Sequence, residues 1–374
     1  MSKRYQICTK CVMDNTDGKI VFNEDGVCNH CLGYDQEKKN LISDPIQRDK
    51  ALKTIIEKIK KTGKNKKYDC IVGISGGVDS SYVAYLAKQW DLKVLLVHLD
   101  NGWDSELAVK NIENIVKKTG FDLYTLVINW EEFKDLQRAF FKADVVDLEL
   151  LSDHAIFASV YKLTREYSIK YLLSGENFET EAIMPTSWNW RKSDSTNIKA
   201  IHKIYGNVEL KTFPFMGTIK KIFYQYAKVA QSIPVLNYLD YNKNNAIKIL
   251  EDELDWKYYG GKHYESIFTR FYQGYILPKK FNIDKRRAHY STLINSEQMT
   301  RGHALRDLKN EIYPVELQKE DFELVCKKLG FTHKELEQYI SRSEKSHLEY
   351  GNDENLYSKI LQLNKYKKML LEKK

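Results

Sequence analysis

From Tyr68 to Ser174 the apolar residues of this chain alternate between short continuous runs and a spacing of three and four. DCIVGI at 69–74 is a run of the kind found in strands buried on both faces. Val83, Leu86, Ala87 and Trp90 then fall at i, i+3, i+4 and i+7, one stripe of a helix. KVLLVHL at 93–99 is a second strand. Leu107, Ala108, Ile112, Ile115 and Val116 give the next helix its apolar face, and Gly120 ends it. A third strand is expected over 122–128, helices over 131–142 and 153–167, and a fourth strand over 169–173. Strands alternating with helices predict an α/β fold, a parallel sheet with helices on both faces. In such sheets ligands sit beyond the carboxyl ends of the strands. Three polar, glycine-bearing segments leave strand ends here: SGGVDSS, Asp100-Asn101-Gly102-Trp103 and Ser174-Gly175-Glu176-Asn177.

The pattern changes outside this region. Residues 1–35 form a compact cysteine-bearing module. Residues 36–67 read as a polar, basic connector with a helical stretch at 51–59. The α/β domain is placed at 68–215. Its last part, 178–215, is rich in Trp, Asn, Ser and Pro and lacks a clear period, which reads as a long functional loop. Residues 216–374 are expected to be mostly helical, with Phe322, Val325 and Leu329 on one helix and Leu336 and Ile340 on another. Residues 260–291 mix aromatics with Lys262, His263, Arg270, Lys279, Lys280, Arg286, Arg287 and His289.

The segment 71–81, IVGISGGVDSS, joins a strand, a tight glycine turn and a helix start. Glycines let the backbone approach an anion, and the unpaired amides of a helix's first turn point at it. The hydroxyls of Ser75, Ser80 and Ser81 can add donors, and Asp79 can hold Mg²⁺. The spacing is neither a Walker A loop nor a dinucleotide-binding GxGxxG. A bare SGG would be an ordinary βα turn; the full string in this context reads as a phosphate grip.

Four of the six cysteines lie in two CxxC pairs, Cys8-Cys11 and Cys28-Cys31. Paired CxxC motifs in an intracellular chain read as a zinc site and not as disulfides. Four thiolates close a tetrahedral shell and leave no open position for catalysis. Asp25-Gly26, between the pairs, fits a hairpin turn. His30 is a candidate substitute ligand, though a place beside the ligands or in solvent is favoured, and Cys70 is read as a core thiol within a strand.

Charge adds a little. With 59 basic and 51 acidic residues the net charge is +8, which suits a polyanionic ligand and permits RNA. No apolar run approaches the roughly 20 residues of a membrane helix. MSKRYQICTK is followed by polar residues and carries no secretory core, so a cytoplasmic location is expected.

SGGVDSS resembles the signature of the PP-loop ATP pyrophosphatase superfamily, whose members split ATP between the α and β phosphates. Further strings narrow the resemblance: CTKCVMDNTDGKIVFNEDGVCNHC, SGGVDSSYVAYLAK, HLDNGWDSELAVKNI, SGENFETEAIMPTSW and the 260–291 stretch. Together, over nearly the whole chain, they resemble the N-acetyl sugar amidotransferase family of bacterial surface-polysaccharide and nonulosonic-acid pathways. The resemblance implies a PP-loop (adenine nucleotide alpha-hydrolase-like) domain, an N-terminal zinc module and a mostly helical C-terminal region. It implies that ATP converts a sugar acetamido group to an acetamidino group. It places Ser75, Gly76, Gly77, Asp79 and Ser80 on pyrophosphate and Mg²⁺, Asp100 and Asn101 beside adenosine, and Gly175 and Glu176 near the α-phosphate or its metal. Cys8, Cys11, Cys28 and Cys31 are expected to hold structural Zn²⁺, and the expected catalytic set is Asp79, Glu176, Lys262, His263 and Arg270.

Trp188, Arg191, Lys262, His263, Arg270 and Arg286 are the substrate candidates, for a nucleotide-activated or carboxylate-bearing N-acetylated sugar. Each lone basic residue is as readily a solvated surface charge. His154, after Asp153, is as readily a contact at a helix start as a catalytic group. Neither Cys70 nor Cys326 is placed like a glutaminase nucleophile. A separate glutaminase subunit is therefore expected, together with a channel-forming, cyclase-like partner. Competing readings are a tRNA-thiolating PP-loop enzyme, a carboxylate-amidating synthetase and a nucleotide-binding scaffold. Nucleic acid is the less favoured partner, since only two cysteines remain for sulfur chemistry.

Overall fold

The structure, a computed structural model, describes residues 4–227, 229–261 and 264–372. Its centre is a five-stranded, all-parallel sheet in the order β3-β2-β1-β4-β5. The strands are β1 Cys70–Gly73, β2 Val94–Asp100, β3 Asp122–Val127, β4 Tyr171–Ser174 and β5 Gln231–Pro234. Helices α1 Asn29–Lys38 and α2 Pro45–Gly63 precede the sheet. Between the strands lie α3 Val78–Gln89, α4 Glu106–Thr119, α5 Trp130–Ala143, α6 Leu150–Glu166, α7 Phe178–Glu181, α8 Ser195–Tyr205 and α9 Thr218–Tyr226. After β5 come α10 Lys243–Leu254, α11 Ile267–Phe271, α12 Leu277–Phe281, α13 Lys285–Asn295, α14 Arg301–Asp307, α15 Val315–Leu329, α16 His333–Ser341 and α17 Glu354–Glu372.

The apolar runs have a simple cause. Side chains alternate across a strand, and both faces of the central strands are covered. Val72 and Leu96 join a core with Val83, Ile112 and Leu250 on one face, while Ile71 and Leu95 pack with Val160 and Leu163 on the other. Gly120 ends α4 at φ +73°, its amide on the Val116 carbonyl at 2.9 Å. Val325, Leu329, Leu336 and Ile340 are buried as their spacing requires.

Two expectations need correction. The segment 178–215 contains helices α7 and α8. Asp194 caps α8 by accepting from the Asn197 amide at 2.9 Å, and Ile198 and Ile201 are fully buried. The buried carboxylates of Glu132 and Asp135 then accept the Thr212, Phe213, Asn207 and Val208 amides and fix the rest of the segment. The sheet also takes its fifth strand from beyond residue 215, where the α/β domain had been expected to end. QSIP carries no apolar run because β5 is an edge strand, and an edge tolerates Pro234.

The N-terminal cysteine segment forms the expected turn. Phe22 pairs with Cys28 across a turn in which Gly26 has φ +76°. It docks on α13 and α14, far along the chain. Arg301 donates to the carbonyls of Cys8 and Cys11 at 2.8 and 2.9 Å, and Arg287 donates to Val12 O at 2.9 Å. No helix among the described residues is long and apolar enough to cross a membrane.

Candidate functional site: an anion loop facing a tyrosine-walled cavity

β1 ends in the expected loop. Gly76 stands at φ +77°, and a Cβ there would lie 2.6 Å from the Ala108 carbonyl oxygen, so only glycine fits. Gly77 caps α3, and its amide donates to Ser75 Oγ at 3.2 Å. Ser80 Oγ accepts from the Ser75 amide at 3.3 Å and donates to Gly77 O at 3.2 Å. Ser81 differs from expectation: it is fully buried and its hydroxyl donates to Gly77 O at 2.6 Å, so it braces the loop from behind. Gly175 lies against the start of α3, where a Cβ would meet Asp79 and Ser80 backbone atoms at 3.0 and 3.1 Å.

The loop borders three cavities and a fourth adjoins them. One, of about 250 Å³, is lined by Ser75, Gly77, Asp79, Ser80, Gly175 and Glu176, with Glu181, Lys243, Tyr259 and Glu265 opposite. The second, of about 210 Å³, is apolar, between Gly73, Ile74, Leu99, Leu126 and Ile156. The third, of about 290 Å³, is polar and holds Asn101, Asp104, Glu149, Ser152 and Lys285. The fourth, of about 390 Å³, is walled by Tyr258, Tyr264, Tyr290 and Tyr313, with Arg270 and Arg286 at its edge. It shares Lys243 with the first and Gln273 and Lys285 with the third. A π turn at Tyr272–Ile276 bulges the α11–α12 helix and brings Gln273 and Gly274 to this wall.

The electrostatics are mixed. Tyr241 donates a hydrogen bond to Asp79 Oδ1, and Tyr259 Oη accepts from the Val78 amide at 3.2 Å. Burial first, then Asp79 beside Tyr241 and Glu265 beside Tyr259, push both phenols up, so both keep their protons. Glu149 accepts from Lys285 at 2.9 Å and from Gln273 at 3.0 Å. His98 presents Nδ1 to Ile74 O at 3.0 Å and Nε2 to Asp104 Oδ2 at 3.1 Å.

Other expected residues are placed less directly. Asp100 Oδ1 accepts the Gly102 amide at 2.9 Å, and Asn101 bridges the Trp103 amide and Ser152 Oγ. Arg270 makes a two-pronged ion pair with buried Asp321 at 2.7 and 2.8 Å. Arg286 is held by Asp284 and by carbonyls at 307, 308 and 310. Arg191 is clasped by Asp353 and Asp194, and Trp188 is buried in the core. His154 is a structural neutral imidazole: Nδ1 donates to Lys192 O at 2.7 Å, Nε2 accepts the Met216 amide at 3.2 Å, and burial lowers its pKa. Lys262 and His263 lie outside the described residues. Tyr241, Lys243, Tyr259 and Glu265 were not anticipated; for Tyr259 the aromatic run before the Gly260-Gly261 pair was a visible signal.

The cysteine cluster fits a metal. The Sγ atoms of Cys8, Cys11, Cys28 and Cys31 are buried within 4.8 Å of one another. Backbone amides of Cys11 and Cys28 donate to Cys8 Sγ at 3.4 and 3.3 Å, and Asn295 Nδ2 to Cys31 Sγ at 3.4 Å. Four convergent thiol sulfurs, with N–H donors to Cys8, Cys11 and Cys31, are the donor set of structural Zn²⁺. His30 pairs instead with Asp17 at 2.7 Å.

Residues 48–149, which include the loop, match the family described as NAD synthase. Residues 265–365, which supply Arg270, Gln273 and Tyr313, match "LPS biosynthesis protein WbpG-like, C-terminal domain". The chain thus joins a segment similar to a PP-loop family to a segment similar to the WbpG-like C-terminal domain. Over 101 residues it is 34% identical to tRNA(Ile)-lysidine synthase of Chlamydia pneumoniae, covering 26% of this chain and 30% of that one. Over 239 residues it is 26% identical to tRNA-specific 2-thiouridylase MnmA of Clostridioides difficile (strain 630), covering 59% and 64%. It thus spans less than two thirds of either relative. Among solved structures, the NH3-dependent NAD synthetase from Campylobacter jejuni subsp. jejuni NCTC 11168 in complex with the nitrate ion aligns at 16% identity. That alignment covers 56% of this chain and 93% of that one, with TM-score 0.30. NMN synthetase from Francisella tularensis aligns at 12% identity over 81% and 99%, with TM-score 0.34. The WbpG-like domain begins where the chain returns to the loop: Asp104 pairs with Ser266, and the Ser105 amide donates to Glu265 O at 2.9 Å.

Proposed function

We propose that this protein is an ATP-dependent amidotransferase that converts the acetamido group of an N-acetylated sugar to an acetamidino group, in the making of a surface polysaccharide or flagellin glycan precursor. The observation that carries this reading is the shared wall of two cavities. The anion-loop cavity and the tyrosine-walled cavity, to which the WbpG-like segment contributes Arg270, Gln273, Tyr290 and Tyr313, meet at Lys243.

The roles follow from placement. The apolar cavity of Ile74, Leu99, Leu126 and Ile156 suits adenine, and the loop amides suit pyrophosphate. The carboxylates of Asp79 and Glu176 line the loop cavity and suit Mg²⁺, which would neutralise phosphate charge there. Tyrosine faces suit a sugar ring, and Lys243 and Lys285 suit an anionic group on it. The acetamido oxygen attacks the α-phosphorus and pyrophosphate leaves. Ammonia then adds to the imidate carbon, and AMP departs with the former amide oxygen, leaving the amidine. Positioning and charge stabilisation are the protein's tasks.

Ammonia would come from a separate glutaminase subunit, with a channel-forming, cyclase-like partner. Cys70 is wholly buried in β1 and Cys326 is buried with its thiol pushed up to about 11 by burial, which supports neither as a glutaminase nucleophile. ATP–pyrophosphate exchange tests the reading. Exchange that depends on an N-acetyl sugar supports it; exchange with a carboxylate acceptor instead, or with none, overturns it.

A second reading draws on the two tRNA-modifying relatives. It predicts tRNA bound to the purified protein and a salt-sensitive gel shift. The buried state of both remaining cysteines argues against thiolation.

A further inference from the structure

Residues 256–261 cross the anion loop and separate two cavities. The crossing is anchored at its start: Trp256 Nε1 donates to Gly76 O at 2.9 Å, and Asn111 exchanges hydrogen bonds with the Lys257 backbone at 2.8 and 2.9 Å. Beyond the anchor the residues divide between the two cavities. Tyr259 faces the loop cavity, while Tyr258, Gly260 and Gly261 line the tyrosine-walled cavity. Gly260, at φ +89°, gives the backbone next to Tyr259 a freedom that other residues lack.

The contact Tyr259 makes is unusual for its place. The Val78 amide is the first N–H of α3, an orphan donor at the positive end of the helix dipole. In an anion loop that donor is the natural partner of a phosphate oxygen. Here a neutral phenol oxygen accepts it at 3.2 Å. A charged acceptor makes a hydrogen bond about twice as strong as a neutral one, so a phosphate outcompetes the phenol.

We propose that Tyr259 is a displaceable stand-in for a phosphate oxygen, and that nucleotide phosphates release it from Val78 and so shift the wall of the acceptor cavity. This rests on the ATP reading above. It assigns an order: the nucleotide binds first and shapes the cavity that receives the sugar. Lys243, which lines both cavities, lies at the same partition.

Tyr259→Phe tests it, since the ring that packs 5.5 Å from Trp256 and 5.7 Å from Tyr258 is retained. The full-length chain is titrated with MgATP and, separately, with inorganic pyrophosphate. The variant should bind both about two- to tenfold more tightly than wild type, the size expected for one competing hydrogen bond removed. By hydrogen exchange, the 258–261 amides should open in wild type on adding MgATP and be open already in the variant. Unchanged or weaker binding by the variant overturns the proposal, as does a wall whose exchange ignores bound MgATP. A wild-type chain that binds neither probe overturns the ATP reading and this proposal together.

Discussion

A β-carbon on Gly175 would stand 3.0 Å from the carbonyl carbon of Asp79. The loop after β4 thus rests on the first turn of α3, and the two strand ends that build the anion site hold each other in place. Most real Cβ contacts are longer, so the helix start would have to move by a few tenths of an ångström.

Gly175→Ala should therefore cost about 1–3 kcal/mol if the loop cannot yield. The damage should concentrate in function. ATP–pyrophosphate exchange should fall at least tenfold while circular dichroism stays unchanged. Wild-type exchange in the variant would show that the contact is slack.

Removing metal should loosen both ends of the chain. Elemental analysis should find one zinc per chain, lost in Cys11→Ser. A strong chelator should lower Tm and raise hydrogen exchange in α13 and α14, because Arg301 reads the carbonyls of Cys8 and Cys11. Unchanged exchange there would separate the module from the helices it touches.

His98 should make stability depend on pH. Burial disfavours its imidazolium, but the Asp104 hydrogen bond and charge, the Ile74 carbonyl and Asp100 outweigh that and raise the pKa above 6.5. A raised folded pKa stabilises fully below the unfolded value and is lost as pH rises through the folded one. Urea midpoints of wild type and His98→Gln should therefore differ more at pH 6 than at pH 9. Equal differences at both would mean the ring stays neutral.

Arg270 and Asp321 are both mostly buried, with side-chain exposures of 12% and 4%. Removing one partner leaves the other charge unpaired. Asp321→Asn and Arg270→Gln should each destabilise by about 3–5 kcal/mol in urea unfolding. A cost below about 1 kcal/mol would class the pair as solvent-screened.

What could be read in the sequence follows the distance between interacting residues. The strand at 70–73, the loop at 75–80 and the cysteine pairs are local patterns whose physics sits within a few residues. Helix α8 announces itself only through Asp194, Ile198 and Ile201, too few positions to stand out in a polar stretch. β5 shows no run because an edge strand needs none. The site's far wall is harder still: Val78 meets Tyr259 from 181 residues away, and Asp79 meets Tyr241 from 162. No periodicity encodes such contacts. Arg270 stands out in the sequence by its charge and its place in the 260–291 stretch, and its partner Asp321, 51 residues on, shows that ion pairing explains much of its presence.

The docking of the cysteine module has a consequence during synthesis. Cys11 leaves the ribosome 290 residues ahead of Arg301, whose guanidinium will cover its carbonyl. At about 5–20 residues per second that interval is roughly 15–60 s. Throughout it the module has its own hairpin and four thiols but no helical partner. Zinc bound by the four thiols in that interval would order the module before the helices it docks on exist, so zinc supply during translation would bear on how those helices find their place.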